Sequence, residues 1–161
     1  MKTIHLMIGI PGCGKSTFSN KLATDLNIRI VSTDRVRADN PGIKEEQVWP
    51  TVYKMIGDEL KNMKDVIFDA TNITPKVRKR LVDNVITHID DFRMIAYYFT
   101  VDWQICVNRV NARNNDPNEL YLPVDVIKGY YEKIVEPTLE EGFIKINYIN
   151  EIGNIYKTIN K

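Results

Sequence analysis

The residues best suited to chemistry in this chain form one stretch near its amino terminus, Gly9-Ile10-Pro11-Gly12-Cys13-Gly14-Lys15-Ser16-Thr17. It matches the pattern G-x-x-x-x-G-K-[ST] at every fixed position. An apolar run, residues 4–8, precedes it, and residues 18–26 place apolar side chains on one helical face. A strand, a glycine-rich loop and a helix in this order are typical of a phosphate-binding loop.

The chemistry of such a loop is anion binding. Its glycines let backbone N–H groups approach a triphosphate, and the following helix points its free N–H groups at the same phosphates. We expect Lys15 to bridge the β- and γ-phosphates of ATP or another NTP, and the Ser16 hydroxyl to ligate Mg²⁺. The predicted nucleotide-binding residues of the loop are Gly9, Pro11, Gly12, Cys13, Gly14, Lys15, Ser16 and Thr17. A turn that binds nothing is the alternative, and the flanking strand and helix disfavour it.

The elements that must position this loop alternate along the chain. Apolar runs predict five strands, near residues 3–9, 28–33, 65–69, 92–100 and 144–149. Helical periodicity predicts helices between them, near residues 15–26, 44–63, 74–88, 102–113 and 123–134, with Pro50 starting or kinking the second and a short helix at the end of the chain. The alternation predicts an α/β P-loop NTPase fold in one domain, residues 1–161, with a parallel five-stranded sheet and helices on both faces.

Ligands of parallel sheets bind at the carboxyl ends of the strands, so residues after each strand are site candidates. Asp34 follows the second strand, and Arg37 lies one helical turn further on. The carboxylate of Asp34 suits a general base for an attacking hydroxyl, with Arg37 holding an anion beside it. The alternative is that Asp34 only caps the helix.

Asp69 ends a buried strand, Val66-Ile67-Phe68, as a Walker-B carboxylate does. It would orient Ser16 or a water bound to Mg²⁺. Because no glutamate follows Asp69, transfer to a hydroxyl is favoured over hydrolysis. Thr71 and Asn72 either contact the acceptor or shape the turn.

Arg109 and Arg113 lie four residues apart and share one helical face. Two guanidinium groups there suit a triphosphate and the charge of a transferring phosphoryl group, and a solvated helix face is the alternative. A basic run in the third predicted helix, near residues 74–88, is a solvated face or contacts an anionic substrate through Lys76 or Arg78; it comprises Lys76, Arg78, Lys79 and Arg80.

The bulk composition excludes several classes of protein. The 161 residues are 43% hydrophobic and carry a net charge of +1, so any nucleic-acid site must be a local patch. The two cysteines, Cys13 and Cys106, do not form a disulfide framework, which favours a reducing compartment. The sequence shows no signal peptide and no apolar run long enough for a membrane span, so a cytoplasmic protein without membrane partners is expected.

The ordered set of motifs resembles the phage-type polynucleotide 5′-hydroxyl kinases, a group of small P-loop kinases with an adenylate-kinase-like sheet. The resemblance covers about residues 1–135. It is carried by the P-loop, by Ser32-Thr33-Asp34-Arg35-Val36-Arg37, by Asp69-Ala70-Thr71-Asn72, by Arg109-x-x-x-Arg113 and by Pro123-Val124-Asp125-Val126-Ile127.

The resemblance implies a role for each matching residue. Asp34 would be the general base on the 5′-hydroxyl, and Arg37 would hold the phosphate beside the acceptor nucleotide. Lys15 and Arg113 would stabilise the transferring phosphoryl group. Arg109 and Arg113 would lie in a small helical lid, about residues 109–122, and Thr71 and Leu122-Pro123 would line the acceptor groove.

The resemblance also has limits. Some phage enzymes carry their acid one residue nearer the Thr-Asn pair, where this chain has Ala70. Many members carry a second domain, a phosphatase or a ligase, and none fits here, so phosphatase activity is not expected. If the gene belongs to a phage, the expected location is the host cytoplasm.

The leading hypothesis is a Mg²⁺-dependent kinase acting on the 5′-hydroxyl ends of DNA or RNA. A small-molecule kinase for a nucleoside, sugar or metabolite is the alternative on the same scaffold. A nucleotide-gated switch without transfer activity is a third, and Asp34 argues against it because a switch needs no hydroxyl base. The sequence leaves the choice of DNA or RNA, the preferred NTP and the oligomeric state open, including a homo-oligomer.

Overall fold

The computed structural model describes residues 1–119 and 121–161. Within them six strands form one sheet: β1 (Lys2–Ile8), β2 (Arg29–Ser32), β3 (Val66–Asp69), β4 (Phe92–Phe99), β5 (Phe143–Ile149) and β6 (Ile155–Asn160). The α-helices are α1 (Lys15–Leu26), α2 (Thr33–Asp39), α3 (Glu45–Lys61), α4 (Pro75–Val85), α5 (Trp103–Asn114) and α6 (Val124–Lys133), and a 3₁₀ turn covers Leu139–Glu141.

The strand order in the sheet is β2-β3-β1-β4-β5-β6. The first five strands along the chain pair in parallel, so the predicted parallel five-stranded arrangement is confirmed. β1 lies between β3 and β4, which places the loop that follows it at the centre of the carboxyl edge.

The sixth strand corrects the prediction of a helix at the end of the chain. β6 pairs antiparallel with β5. The two strands are joined by a tight turn in which the Asn150 side chain accepts hydrogen bonds from the N–H groups of Ile152 and Asn154. Residues 155–160 are rich in β-branched and aromatic side chains, which favour a strand, and the preceding turn folds this segment back onto β5.

Helices cover both faces of the sheet, as the sequence predicted. Along β1, Ile4, Leu6 and Ile8 belong to the core that packs against α3 and α4. Met7 belongs to the other core, which is shared with α1, α5 and α6. This alternation follows from the two-residue period of a strand and holds β1 rigidly between two helical layers.

The local signals for the helix starts agree with the structure. Thr74 caps α4 by accepting from the Val77 N–H, and Pro75 occupies the first turn. Asp102 caps α5 by accepting from the Gln104 N–H. Pro50 lies inside α3, which runs without interruption from Glu45.

The segment predicted as a lid combines a helix end with a loop. α5 continues to Asn114, and residues 115–119 and 121–123 contain no helix; position 120 lies outside the described residues. The Asn114 side chain accepts from the N–H of Leu122 and donates to its carbonyl, both at 2.8 Å. This pair of bonds closes the loop at its base. None of the helices in the described ranges has the length and apolarity needed to cross a bilayer.

Candidate nucleotide and acceptor site

The loop between β1 and α1 has a shape that requires glycine. Gly12 and Gly14 have φ values of +84° and +100°. A Cβ on Gly12 would lie 2.7 Å from the Cys106 carbonyl oxygen and 2.9 Å from a methyl group of Val110. The loop therefore packs directly against α5, and glycine-rich curves of this kind can turn their backbone N–H groups towards an anion.

Lys15 lies within the curve of this loop. Its ammonium group donates to the Ile10 carbonyl at 3.0 Å, and the Cys13 sulfur lies 3.7 Å away. Cys13 is buried, and this burial raises the pKa of its thiol. The thiol is therefore a small apolar side chain in the loop, and Lys15 supplies the positive charge.

Ser16 and Asp69 form the second element of the site. The Ser16 hydroxyl donates to Asp69 Oδ2 at 3.1 Å. Asp69 is largely buried, and the loss of hydration raises the pKa of its carboxyl group, although the nearby charge of Lys15 opposes the effect. Its position is fixed because it ends β3 in register with Ser32 of β2.

These two side chains fit a magnesium ion. Mg²⁺ prefers oxygen ligands and is commonly bound through one or two protein groups together with substrate phosphates and water. Across residues 1–119 and 121–161 no group of three or more His, Cys, Asp or Glu side chains has metal-binding geometry. Ser16 and Asp69 would hold the ion, and when bound it would neutralise phosphate charge.

Asp34 belongs to an ion-pair cluster of three side chains at the carboxyl edge of β2. Arg37 Nη1 donates to Asp34 Oδ1 at 2.9 Å, and Arg37 Nε donates to Glu45 Oε2 at 3.0 Å. A third bond joins Arg37 Nη2 to Glu45 Oε1. Glu45 raises the pKa of Arg37, and Arg37 lowers the pKa of Glu45.

The structure shows which residue caps α2, and so tests the alternative that Asp34 is only a helix cap. The cap of α2 is Ser32, whose hydroxyl accepts from the Arg35 N–H. Asp34 is 82% exposed and does not cap the helix. Its charge contributes to the raised pKa of Asp69, so the two carboxylates share one electrostatic environment.

Thr71 and Asn72 connect the P-loop to the end of β3. The Thr71 carbonyl accepts from the Gly9 N–H at 3.0 Å. The Asn72 side chain is fully buried and donates to the Met7 carbonyl at 2.9 Å, with its backbone at φ +47°. Because this side chain is fully buried, Asn72 fits the alternative of shaping the turn.

Arg109 and Arg113 differ in their surroundings. Arg109 Nη1 donates to the Gly12 carbonyl at 3.2 Å, and its other terminal nitrogen donates to the Glu151 carbonyl in the β5–β6 turn. Arg109 therefore links the P-loop to the turn between β5 and β6. Arg113 lies one turn further along α5 and is exposed, and Pro123 is exposed just before α6.

The basic run on α4 does not act as one surface. Arg78 is buried and forms a two-bond ion pair with Glu141, at 2.6 and 3.1 Å. It also donates to the carbonyls of Asn72 and Val135. The hypothesis that Arg78 touches an anionic substrate is thus replaced by a structural role, whereas Lys76 is exposed.

Sequence patterns did not single out Glu45 or Glu141. Each meets its arginine across a loop or between distant elements, eight and 63 residues apart. The spacing rules for residues on one helix do not reach such pairs. The only signal for Glu45 was a carboxylate in the first turn of the helix that follows Arg37.

Other proteins of solved structure share this fold. Solved structures with the same fold include a candidate kinase from Chloroflexus aurantiacus, with a TM-score of 0.72 and 18% identity over 92% of this chain and 88% of that one. A fungal RNA kinase matches with a TM-score of 0.68 and 21% identity over 97% and 75% of the two chains. A gluconokinase from Sinorhizobium meliloti matches with a TM-score of 0.61 and 14% identity over 95% and 84%.

At these identities the solved structures show the fold alone, which is that of P-loop kinases. The family is shown by the sequence match, which takes in every P-loop residue, Asp34, Asp69, Arg109 and Arg113. Because residues 4–137 match the family described as an AAA domain, the chain belongs to that AAA domain family.

Proposed function

We propose that this protein is an ATP- and Mg²⁺-dependent kinase that transfers the γ-phosphoryl group of an NTP to the 5′-hydroxyl end of DNA or RNA. The observation that carries the proposal is the position of Asp34. It is an exposed carboxylate, paired with a guanidinium group, at the same edge of the sheet as the P-loop and Asp69.

The donor side of the reaction is assigned to the P-loop. Its backbone amides and Lys15 would cradle the β- and γ-phosphates, and Ser16 with Asp69 would hold Mg²⁺. Arg113 would add a positive charge to the transferring group from the end of α5. Little covalent chemistry is required of the protein, because phosphoryl transfer depends mainly on positioning and on charge stabilisation.

The acceptor side is assigned to Asp34, Arg37, Thr71 and Pro123. Asp34 would accept the proton of the attacking hydroxyl, since its oxygens are accessible and not engaged in a helix cap. Arg37 would bind the phosphate that follows the first nucleotide. A nucleic acid end carries both groups, a primary hydroxyl and a neighbouring phosphate.

A small-molecule kinase is the second candidate, and one observation favours it. The guanidinium of Arg37 is already paired with two carboxylates, Asp34 and Glu45, so it offers less net charge to a polyanion than its sequence position suggests. The similar fold of the Sinorhizobium meliloti gluconokinase supports this candidate, and that of the fungal RNA kinase supports the first.

Transfer of labelled γ-phosphate from ATP with Mg²⁺ tests both candidates. DNA and RNA oligonucleotides with 5′-hydroxyl ends are offered in parallel with nucleosides and sugars, at several salt concentrations. We expect label on an oligonucleotide, with a KM that rises with ionic strength because phosphate contacts release counterions. Label confined to the small molecules would replace the first candidate by the second.

The role of Asp34 is tested by Asp34→Asn. We expect the transfer rate to fall by at least about 10²-fold, since the amide cannot accept the hydroxyl proton, while ATP binding persists. Asp39→Asn, at the exposed end of the same helix, is the matched control and should keep the rate. Loss of ATP binding in Asp34→Asn would mean that the residue is structural.

A further inference from the structure

Glu45 is a residue of the acceptor side that neither the motifs nor the family match assigns. It is the first residue of α3 and meets Arg37 across the loop that follows α2. The carboxylate takes two parallel hydrogen bonds, from Nε and Nη2, and so covers one complete edge of the guanidinium. Asp34 takes a bond from the remaining nitrogen, Nη1.

The edge that Glu45 covers is the one a phosphate would use. Arginine binds phosphate and carboxylate in the same way, through two parallel N–H donors. While Glu45 is in place, the Arg37 edge formed by Nε and Nη2 is not available to a second anion. An anionic acceptor must therefore displace Glu45 before it can bind Arg37 through that edge.

Displacement is easy at this position. The side chains of Arg37 and Glu45 are 38% and 68% exposed, and an ion pair so open to solvent is weak. Once released, the Glu45 carboxylate remains in the first turn of α3, where the helix N-terminus favours a negative charge. Asp34 is bound by a different nitrogen, Nη1, so displacement of Glu45 does not require the loss of that bond.

We propose that Glu45 is a specificity-determining residue that occupies on Arg37 the place of the acceptor's phosphate. The inference rests on the proposed function, because it concerns the acceptor of that same site. An acceptor with a phosphate next to its reactive hydroxyl exchanges that phosphate for Glu45. An acceptor without one leaves the pair intact, so Glu45 sets how strongly the site prefers phosphorylated acceptors.

Binding of two probes measures this preference without transfer. Thymidine 3′-monophosphate and thymidine are titrated into the protein and into Glu45→Gln. We expect Glu45→Gln to bind the monophosphate about two- to fivefold more tightly, the size of one exposed ion pair, and thymidine unchanged. The affinity for the monophosphate should also fall more steeply with salt, since Arg37 is then free to contact phosphate.

Glu46→Gln is the matched control. Glu46 is the next residue in the first turn of α3, carries the same charge and forms no ion pair with any residue in the described ranges. It therefore reports the general effect of removing one negative charge. A double variant adds a second check, because Glu45→Gln should have no effect in an Arg37→Gln background if Glu45 acts through Arg37.

Two results would overturn the inference. Equal affinities of Glu45→Gln and Glu46→Gln for the monophosphate would mean that Glu45 does not compete. Weaker binding of both probes by Glu45→Gln would make Glu45 a structural support. Failure of the proposed function looks different: the unmodified protein would transfer no label to 5′-hydroxyl oligonucleotides, whatever the two variants bind.

Discussion

Asp69 is a carboxylate held where the fold disfavours its charge. It lies at the end of β3 between helical layers, and burial raises the pKa of its carboxyl group. The ionised form is the one that would bind Mg²⁺ and accept the Ser16 hydrogen bond. The protein therefore keeps a destabilising charge at the point where the proposed chemistry requires it.

Asp69→Asn is expected to raise the melting temperature at pH 7.5. The raised pKa means that the charge costs stability above the folded-state pKa, and that this cost disappears as the pH falls through that pKa. The gain in Tm should thus shrink towards pH 4, with about 2–4 °C for each kcal/mol recovered. Transfer activity should fall at the same time.

Thermal melts from pH 4 to pH 8 check this prediction. Asp90→Asn serves as the control, because Asp90 is exposed. The melting temperature of this variant should equal that of the unmodified protein. A lower Tm for Asp69→Asn at every pH would show that its hydrogen bond with Ser16 outweighs the buried charge.

Sequence reasoning proposes the groups of the candidate site but not their partners. The P-loop, Asp34 and Asp69 are candidates because each follows a predicted strand, and Arg109 and Arg113 are candidates because of their helical spacing. Glu45 was missed because its contact with Arg37 depends on the path of a loop. For Asn72 the sequence allows two roles, contact with an acceptor or shaping of the turn. Only the burial of its side chain distinguishes them.

At the scale of elements, the P-loop depends on α5 as much as on β1 and α1. The backbone of Gly12 lies against the Cys106 carbonyl, and Arg109 from the same helix binds the Gly12 carbonyl. The loop is therefore shaped by a helix more than ninety residues away along the chain. A side chain at position 12 would push the loop and α5 apart.

Gly12→Ala is expected to destabilise the protein more than Gly42→Ala. Both glycines have a φ of +84°, so alanine costs about 1 kcal/mol or slightly more at either position through backbone strain alone. Only at Gly12 does the new Cβ meet α5, at 2.7 Å; at Gly42 no atom lies within 4 Å. The clash adds about 1–3 kcal/mol.

Urea unfolding of the two variants measures the difference directly. Because the strain is matched, the excess loss in Gly12→Ala is the free energy of the contact between loop and helix. ATP binding should weaken in Gly12→Ala and persist in Gly42→Ala. Equal unfolding free energies would show that α5 moves away at little cost.

The elements themselves were largely predictable, with one exception at the end of the chain. Long periodic segments such as α3 and α4 were found from their apolar spacing, and Thr74 and Asp102 marked helix starts. The prediction of a helix at the end of the chain was wrong, because the β-branched and aromatic residues of 155–160 favour a strand. The identity of β6 is set by the Asn150–Asn154 turn, which returns the chain to β5.

At the scale of the whole molecule, Arg78 holds together segments that are distant in sequence. From α4 it binds Glu141, just before β5, and the Val135 carbonyl, just after α6. It also binds the Asn72 carbonyl beside the P-loop. One buried guanidinium thus joins the segment beside the P-loop to the connection that leads into the last two strands.

Arg78→Met is expected to cost about 3 kcal/mol of unfolding free energy. It leaves the Glu141 carboxylate, which is only 17% exposed, without its partner, together with two carbonyl groups. Lys79→Met is the control on the same helix. Its ion pair with Asp83 is exposed on both sides, so a change within about 0.5 kcal/mol is expected. Similar losses in urea unfolding would contradict the structural role of Arg78.

The strand order shows where sequence reasoning ends at this scale. Alternating strands and helices predicted a parallel sheet, but the central position of β1 follows from crossovers that no local pattern encodes. The sequence pattern predicts only that the candidate site lies at the carboxyl edge of the sheet.

The central place of β1 has a consequence for how the protein reaches its folded state. β1 is synthesised before its two partner strands, which begin at Val66 in β3 and Phe92 in β4. Pairing across such separations closes large loops and slows folding. The P-loop also needs its contacts with α5. The newly made chain therefore acquires its nucleotide site only in a late step of folding. Nucleotide would then bind the folded protein but not the unfolded chain, and would shift the equilibrium towards the folded state by mass action.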